Sequence, residues 1–293
     1  MEKYSVLMSV YFKENPEYFG AAIESMLDQS IPPSEFVLIC DGKLTEELDK
    51  VIDDYTENFP ALFRVIRFKE NCGLGEALRV GTLSCSNEIV ARMDSDDIAV
   101  PDRMKWQLEV LQNDPSISVV GGQIQEFFGE IGNFAGIRNV PEQPENICKM
   151  AAKRNPMNHM TVTFRKKDVL SAGNYMSFDK FEDYFLWVRM ISQGYIFANV
   201  KQICVLARVN EKMYERRGGW KYFQQTLKLE RYMYSSGFCS KSQFVSNVVV
   251  RFLGTVVVPN RVRRVLYRNM LRKRDHDGGL NASTSECNVS VTV

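Results

Sequence analysis

An α/β fold with a mostly parallel central sheet flanked by helices is predicted by three observations. Short β-rich runs alternate with segments of helical spacing from Tyr4 to Ser84. The runs are almost continuously apolar, as strands buried on both faces are. A further run, Ile89-Val90-Ala91, ends in three carboxylates, Asp94, Asp96 and Asp97, at the carboxyl end of a strand, which is where open α/β sheets bind ligands.

The first strand spans Tyr4 to Tyr11, and Phe19, Ile23, Met26 and Leu27 give Pro16 to Gln29 helical spacing. Phe36 to Cys40 is a second strand, stopped by Asp41-Gly42; Thr45 to Leu48 opens a helix, and Phe63 to Phe68 alternates as a third strand. Asn71-Cys72-Gly73-Leu74-Gly75 then feeds a helix whose free N–H groups suit an anion. It lacks the full GxGxxG pattern, which disfavours a dinucleotide fold. Beyond the acidic loop, Arg103 to Leu111 is expected to be helical, Ile117 to Gly122 and Met160 to Arg165 extended, and Gly129 to Pro144 a surface excursion. Tyr195 to Leu206 holds one or two strands, and Trp220 to Ser235 a helix.

Alternation in an extended chain sends Asp94 and Asp96 to one side, a concentration of charge that calls for an arginine, a lysine or a hard divalent metal. Capping of the helix opened by Pro101-Asp102-Arg103 accounts for Asp97 or Asp102, but it leaves Asp94 and Asp96 unexplained. Glu182 and Asp183 begin an apolar helix closing at Gly194. Acids in a first turn suit the helix dipole, and the surrounding aromatics would also raise a carboxyl pKa toward that of a useful base. Arg216 and Arg217 are either a solvated pair or bidentate partners of a diphosphate.

Lys+Arg and Asp+Glu number 37 and 36, so no dedicated nucleic-acid binder is expected. Seven cysteines without paired spacing, and only two histidines, argue against zinc. The chain is expected to be cytoplasmic, with no signal peptide and no membrane span. Seven basic residues between Arg261 and Arg274, interleaved with apolar ones, fit either a helix on an anionic inner-membrane surface or a bundle helix with a solvated face. Residues 275–293 are expected to be disordered.

Taken in order, the strand Ser5 to Tyr11, Asp41, Asn71 to Ala77, Asp94-Ser95-Asp96-Asp97 and Glu182 to Trp187 resemble family 2 glycosyltransferases of the GT-A fold, over roughly residues 3 to 220. The likeness is to bacterial enzymes that build capsular, exopolysaccharide and O-antigen repeat units. It implies a Rossmann-like sheet, with residues 1–100 holding the nucleotide sugar and 101–235 the acceptor and base. A helical basic extension then covers 236–274. It further implies inverting transfer of one sugar, galactose or an N-acetylhexosamine, from a UDP-sugar to a lipid-diphosphate-linked saccharide, with Mn²⁺ or Mg²⁺. By position, Asp41 meets the uracil or ribose, Asp94 the nucleotide sugar, and Asp96 with Asp94 the metal. Asp183 is the base, with Glu182 beside it, and Tyr11, Asn71 and Gly73 complete the nucleotide side. His159 and Trp187 are candidates for the diphosphate or acceptor, although a lone histidine is more often structural. A binding scaffold without turnover and a nucleotidyltransferase are the alternatives; Tyr11 to Pro16 lacks the basic glycine-rich loop of the latter.

Overall fold

The computed structural model describes residues 2–210 and 218–258. Its first half follows the expected alternation: β1 (Tyr4–Val10), α1 (Pro16–Leu27), β2 (Glu35–Cys40), α2 (Glu46–Asn58), β3 (Phe63–Arg67), α3 (Leu74–Ser84) and β4 (Ile89–Met93). Local chemistry sets the helix starts. The Asn15 side chain accepts from Glu17 N with proline at the first turn of α1, and Thr45 Oγ1 accepts from Leu48 N at α2. Strands β3-β2-β1-β4 are all parallel. Because the chain leaves β1 toward β2 and β3 and returns to β4 on its other side, the order reverses at β1, and a crevice opens beyond the carboxyl ends there.

The second half comprises β5 (Ile98–Ala99), α4 (Arg103–Asn113), β6 (Ile117–Phe128), β7 (Phe134–Arg138), α5 (Pro144–Ala151), β8 (Thr163–Arg165), α6 (Lys166–Ser171), α7 (Glu182–Ser192), β9 (Ile196–Val209), α8 (Trp220–Ser235) and α9 (Lys241–Phe252). These strands extend the same sheet as β4-β8-β6-β9-β5, with β7 paired to β6. The purely parallel arrangement ends at β4: β8 is antiparallel to both neighbours, while β6 and β9 are parallel to each other. At 12 and 14 residues, β6 and β9 are long strands, and register shifts bend them along their shared edge. That curl carries the end of β9 back to β5, just beyond the acidic loop.

Strand alternation divides the core in two. Tyr4, Val6, Met8 and Val10 of β1, with Phe36 and Leu38 of β2, pack under α1, α2 and α4; Leu7, Val37 and Ile39 point the other way, to α3 and α7. Helix α3 comes close to the sheet because a Cβ at Gly81 would lie 2.3 Å from Leu7 Cδ1. A third cluster joins Tyr184 and Val188 of α7 to Leu229 and Met233 of α8.

Three expectations change. Extension begins only at Thr163, because Thr161 Oγ1 donates to Asn158 O (2.7 Å) and closes a 3₁₀ turn over His159–Thr161. The excursion from Gly129 to Pro144 contains β7, turned back on β6 through Gly129 and Gly132 at positive φ. Asp102 precedes α4 without a side-chain capping bond, so capping does not account for it. The basic segment from Arg261 to Arg274 and the tail 275–293 lie outside the described residues; the chain is followed through a π-helical turn, Leu253–Val257, to residue 258.

Helices α8 and α9 are fastened to the body by one buried carboxylate. Glu230, fully buried, accepts from Arg251 Nε (2.7 Å) and Asn247 Nδ2 (2.9 Å), whose side chains also donate to Lys153 O and Ala152 O. Removing one partner of such a pair strands the others. Glu230→Ala is therefore expected to lower stability by about 3 kcal/mol, read from denaturant unfolding; a change within about 0.5 kcal/mol, as at ordinary surface sites, would contradict the fastening role.

Candidate functional site

Asp41, at the carboxyl end of β2, is 4% exposed and fully engaged by the loop before α3. Its oxygens accept from Cys72 N (2.7 Å), Gly73 N (3.0 Å) and Asn71 Nδ2 (3.0 Å). The two loops touch closely enough that Gly42, at φ +91°, could carry no Cβ: it would lie 2.8 Å from Asn71 N. Three expected site residues, Asp41, Asn71 and Gly73, are thus one unit. At the start of α3, a Cβ on Gly75 would lie 3.4 Å from the Cβ of Glu182, which brings this unit up to the first turn of α7.

The acidic loop follows β4, and its three aspartates have different fates. Asp94 is paired with Arg92, a fully buried arginine one strand position pair earlier. Asp97 is buried, and its carboxylate accepts from Arg208 N (2.7 Å). Burial, then Asp96 and Asp94, hold its pKa well above the usual range. Asp96 is pushed up to about 7, first by burial and then by the charges of Asp94 and Glu14. Glu14 reaches the loop from the end of β1, accepting from Ser95 Oγ (2.7 Å). Arg208 pins the loop from β9: its Nε donates to Asp96 O (3.1 Å), its Nη1 to Gly129 O, and its guanidinium lies 3.6 Å from the Tyr18 ring centroid and 4.7 Å from that of Phe127.

Glu182 and Asp183 open α7, and both are destabilised as anions. Burial, followed by the charge of Asp183, pushes Glu182 up to about 7. Burial also raises Asp183, opposed by the Tyr184 N–H, by Asn155 Nδ2 (2.5 Å) and by the charges of Arg92 and Arg138. Arg92 therefore acts on both carboxylate groups. Burial works to lower its own pKa, yet Asp94, Tyr175 and Asp183 hold it above the usual value. Its Nε and Nη1 have no hydrogen-bond partner among the described residues. The elevated carboxyl pKa values carry a stability cost: the folded chain binds those protons more tightly, so ionising Glu182 weakens folding as pH rises from about 4.5 toward about 7.

Two carboxylates, Asp94 and Asp96, are the protein oxygens that this loop could offer a divalent cation. Asp94 is paired with Arg92, whereas Asp96 has no salt-bridge partner among the described residues; its pKa is raised first by burial, then by Asp94 and Glu14, and is lowered by the charge of Arg92. No group of three or more His, Cys, Asp or Glu side chains is arranged to hold a metal among the described residues. An ion here would take protein oxygen from Asp96 and Asp94 and fill its remaining places with water and phosphate, as Mg²⁺ and Mn²⁺ sites commonly do.

Tyr11 stands at the rim after β1, 37% exposed, edge-on to Phe12. His159 is held by Tyr175 Oη (3.0 Å), and burial, then the charge of Arg92, lower its pKa well below the usual value, so it is neutral. Trp187 is fully buried among Tyr175, His159 and Phe197. A contact with the diphosphate or the acceptor, expected of it from the sequence, would need that ring uncovered. Arg216 and Arg217 lie outside the described residues. Sequence reasoning missed Arg92, Glu14, Asn155 and Arg208. Only Arg92 left a trace: a lone cation inside the otherwise buried run Ile-Val-Ala-Arg-Met.

The profile of glycosyl transferase family 2 matches residues 5–185. The UDP-Gal:alpha-D-GlcNAc-diphosphoundecaprenol beta-1,3-galactosyltransferase of Escherichia coli is 30% identical over 92% of this chain and 97% of its own length. The amylovoran biosynthesis glycosyltransferase AmsE of Erwinia amylovora is 33% identical, over 90% and 97%. Among solved structures, the mannosyltransferase PcManGT of Pyrobaculum calidifontis, in complex with GDP-Man and Mn²⁺, superposes with a TM-score of 0.61 at 14% identity, over 90% of this chain and 72% of that one.

Asn155→Ala removes a donor to ionised Asp183, so the Asp183 titration, followed by carboxyl-carbon NMR, is expected to move to higher pH. An unchanged titration would show that Asn155 does not hold the anion.

Proposed function

The chain belongs to glycosyl transferase family 2, and we propose that it is an inverting, metal-dependent enzyme of bacterial surface-polysaccharide synthesis. In this reading it moves one sugar, galactose or an N-acetylhexosamine, from a UDP-sugar to a lipid-diphosphate-linked saccharide. Residues 1–100 hold the donor, and residues 101–235 supply the acceptor side and the base. One observation carries the reading: an acidic loop with a charge deficit at Asp96 and a buried, proton-hungry Asp183 meet around Arg92, at the reversal of strand order.

The residues divide the chemistry. Asp41, kept in place by the Asn71–Gly73 loop, is the nucleoside contact, with Tyr11 at the rim beside it. Asp94 and Asp96 would hold Mn²⁺ or Mg²⁺, which when bound neutralises charge developing on the leaving diphosphate. Asp183 accepts the proton of the acceptor hydroxyl as its oxygen attacks the anomeric carbon from the face opposite the diphosphate. A single displacement inverts the configuration. Burial favours that proton transfer by raising the basicity of Asp183, while Asn155, Arg92 and Arg138 keep it ionised beforehand. Glu182, beside it, is pushed up to about 7 by burial and by the charge of Asp183.

Work at the inner face of the membrane, as a peripheral cytoplasmic protein, follows from a lipid-linked acceptor. Among the described residues no helix is long and apolar enough to cross a membrane. The scaffold alternative shares the pocket but has no use for a base.

Transfer from a panel of UDP-sugars to a synthetic sugar-diphosphate-lipid, with Mn²⁺ or Mg²⁺, tests the proposal. Asp183→Asn is expected to lower kcat by roughly 10²–10⁴-fold, the usual contribution of a positioned base, with donor affinity little changed. Asp96→Ala should weaken metal-dependent donor binding as well. Turnover by Asp183→Asn within a few-fold of the parent would remove Asp183 as base, and absence of transfer from every donor would favour the scaffold.

A further inference from the structure

Helix α9 packs Phe244 and Phe252 inward, yet with the turn after it also buries polar side chains and leaves a row of apolar ones in water. Asn247 and Thr255 are buried and Arg251 is half-buried, all turned toward the body. Val245, Val249, Val250, Leu253 and Val257 are turned outward, each 48% to 65% exposed. Spacings of four residues put Val245, Val249, Leu253 and Val257 along one ridge, and Asn247, Arg251 and Thr255 along another. The inward face is committed, since Asn247 and Arg251 hold Glu230 and the carbonyls of Ala152 and Lys153. Rotation of α9 to cover the valines would strand a buried carboxylate, so the apolar ridge stays outside. Trp220, 56% exposed, starts α8 beside the same end of the ridge, where Gly219 N donates to Thr255 O (2.9 Å).

The charge of the sequence that carries this face and follows it selects what covers it. Residues 241–274 contain nine Lys and Arg and no Asp or Glu. A second copy docked through the same ridge would bring two such segments together, and like charges facing each other oppose association. A surface that is both anionic and apolar below satisfies both features at once. That surface is a bilayer bearing acidic phospholipid, where valine and leucine enter the acyl boundary, the indole sits at the interface and basic groups meet headgroups.

We propose that the outward ridge of α9, Val245 to Val257 with Trp220 at its end, is the surface by which the protein docks on an anionic phospholipid bilayer. The proposal rests on the reading of the acceptor as lipid-linked, and it places the apolar contact in a folded helix, ahead of the basic segment at Arg261–Arg274.

The full-length protein is sedimented with vesicles of phosphatidylglycerol and phosphatidylcholine, and with phosphatidylcholine alone. Binding is expected to the first, weakened by salt as exposed charge attraction is. Val249→Asp with Leu253→Asp should reduce partitioning by roughly tenfold or more, since returning one such side chain to water has about that effect. The melting temperature and transfer to a water-soluble acceptor analogue should be unchanged, while transfer to the acceptor embedded in vesicles falls. Vesicle binding equal to the parent's overturns the proposal, as does light scattering in which the substitutions dissolve a dimer and leave vesicle binding intact. A vesicle difference that persists in a protein with no transferase activity would sink the enzymatic reading alone.

Discussion

Ion pairing between Arg92 and the carboxylates around it is the constraint on which the site depends. A guanidinium buried in the middle of a sheet is costly to desolvate, and it is retained only where anions compensate it. Here they come from two distant stretches: Asp94 follows it on β4, and Asp183 arrives from α7. Strand β4 is the hinge of this arrangement, because it pairs with β1 of the parallel half and with β8 of the antiparallel half. Arg103 reinforces the position by donating to the Arg92 carbonyl (2.7 Å), so the backbone carrying the cation is itself tied to α4.

One cation cannot serve every acid, and the remainder explains the chemistry. Asp94 is satisfied by contact, Asp97 by the Arg208 amide, and Asp96 by neither. Preorganised charge of this kind is useful because the reorganisation has been completed in folding. The curled pair β6 and β9 contributes by delivering Arg208 to the far side of the acidic loop, where its contacts to Tyr18, Phe127 and Gly129 leave it little freedom. The antiparallel half thus supplies both a wall and a clamp for acids that belong to the parallel half.

The parallel half was legible because its signals are local. Apolar runs of five to seven residues, capped helices and Asp41-Gly42 all act within a few positions, and the structure reproduces them from Tyr4 to Met93. The helix Trp220–Ser235 was equally plain. What escaped was non-local. Nothing near Asn155 marks it as the partner of a side chain 28 positions away, and Arg208 meets Asp97 across 111. The strand hidden in Gly129–Pro144 was masked by the glycines that turn it back on β6. Trp187 lies on the face of α7 that packs against Phe197, a burial that its sequence neighbours do not announce.

Two departures from ordinary folding rules in the described residues are of the same kind. Asp96 is a half-buried carboxyl with no salt-bridge partner among the described residues, and α9 is a helix with valines in water and an asparagine inside. Sequences that fold well agree with themselves at every level, and the positions where they do not are where function imposes a cost. Each departure also specifies what would resolve it. A half-buried carboxyl beside an arginine-paired one would suit a small, hard cation, since Arg208 is close by yet spends its Nε on the Asp96 carbonyl. An apolar ridge followed in sequence by a stretch rich in Arg and Lys and free of acids asks for a surface that is oily and anionic together. In the proposed reading, a nucleotide-sugar diphosphate with its metal would answer the first demand and a phospholipid bilayer the second, and an acceptor built on a lipid diphosphate would require one protein to meet both.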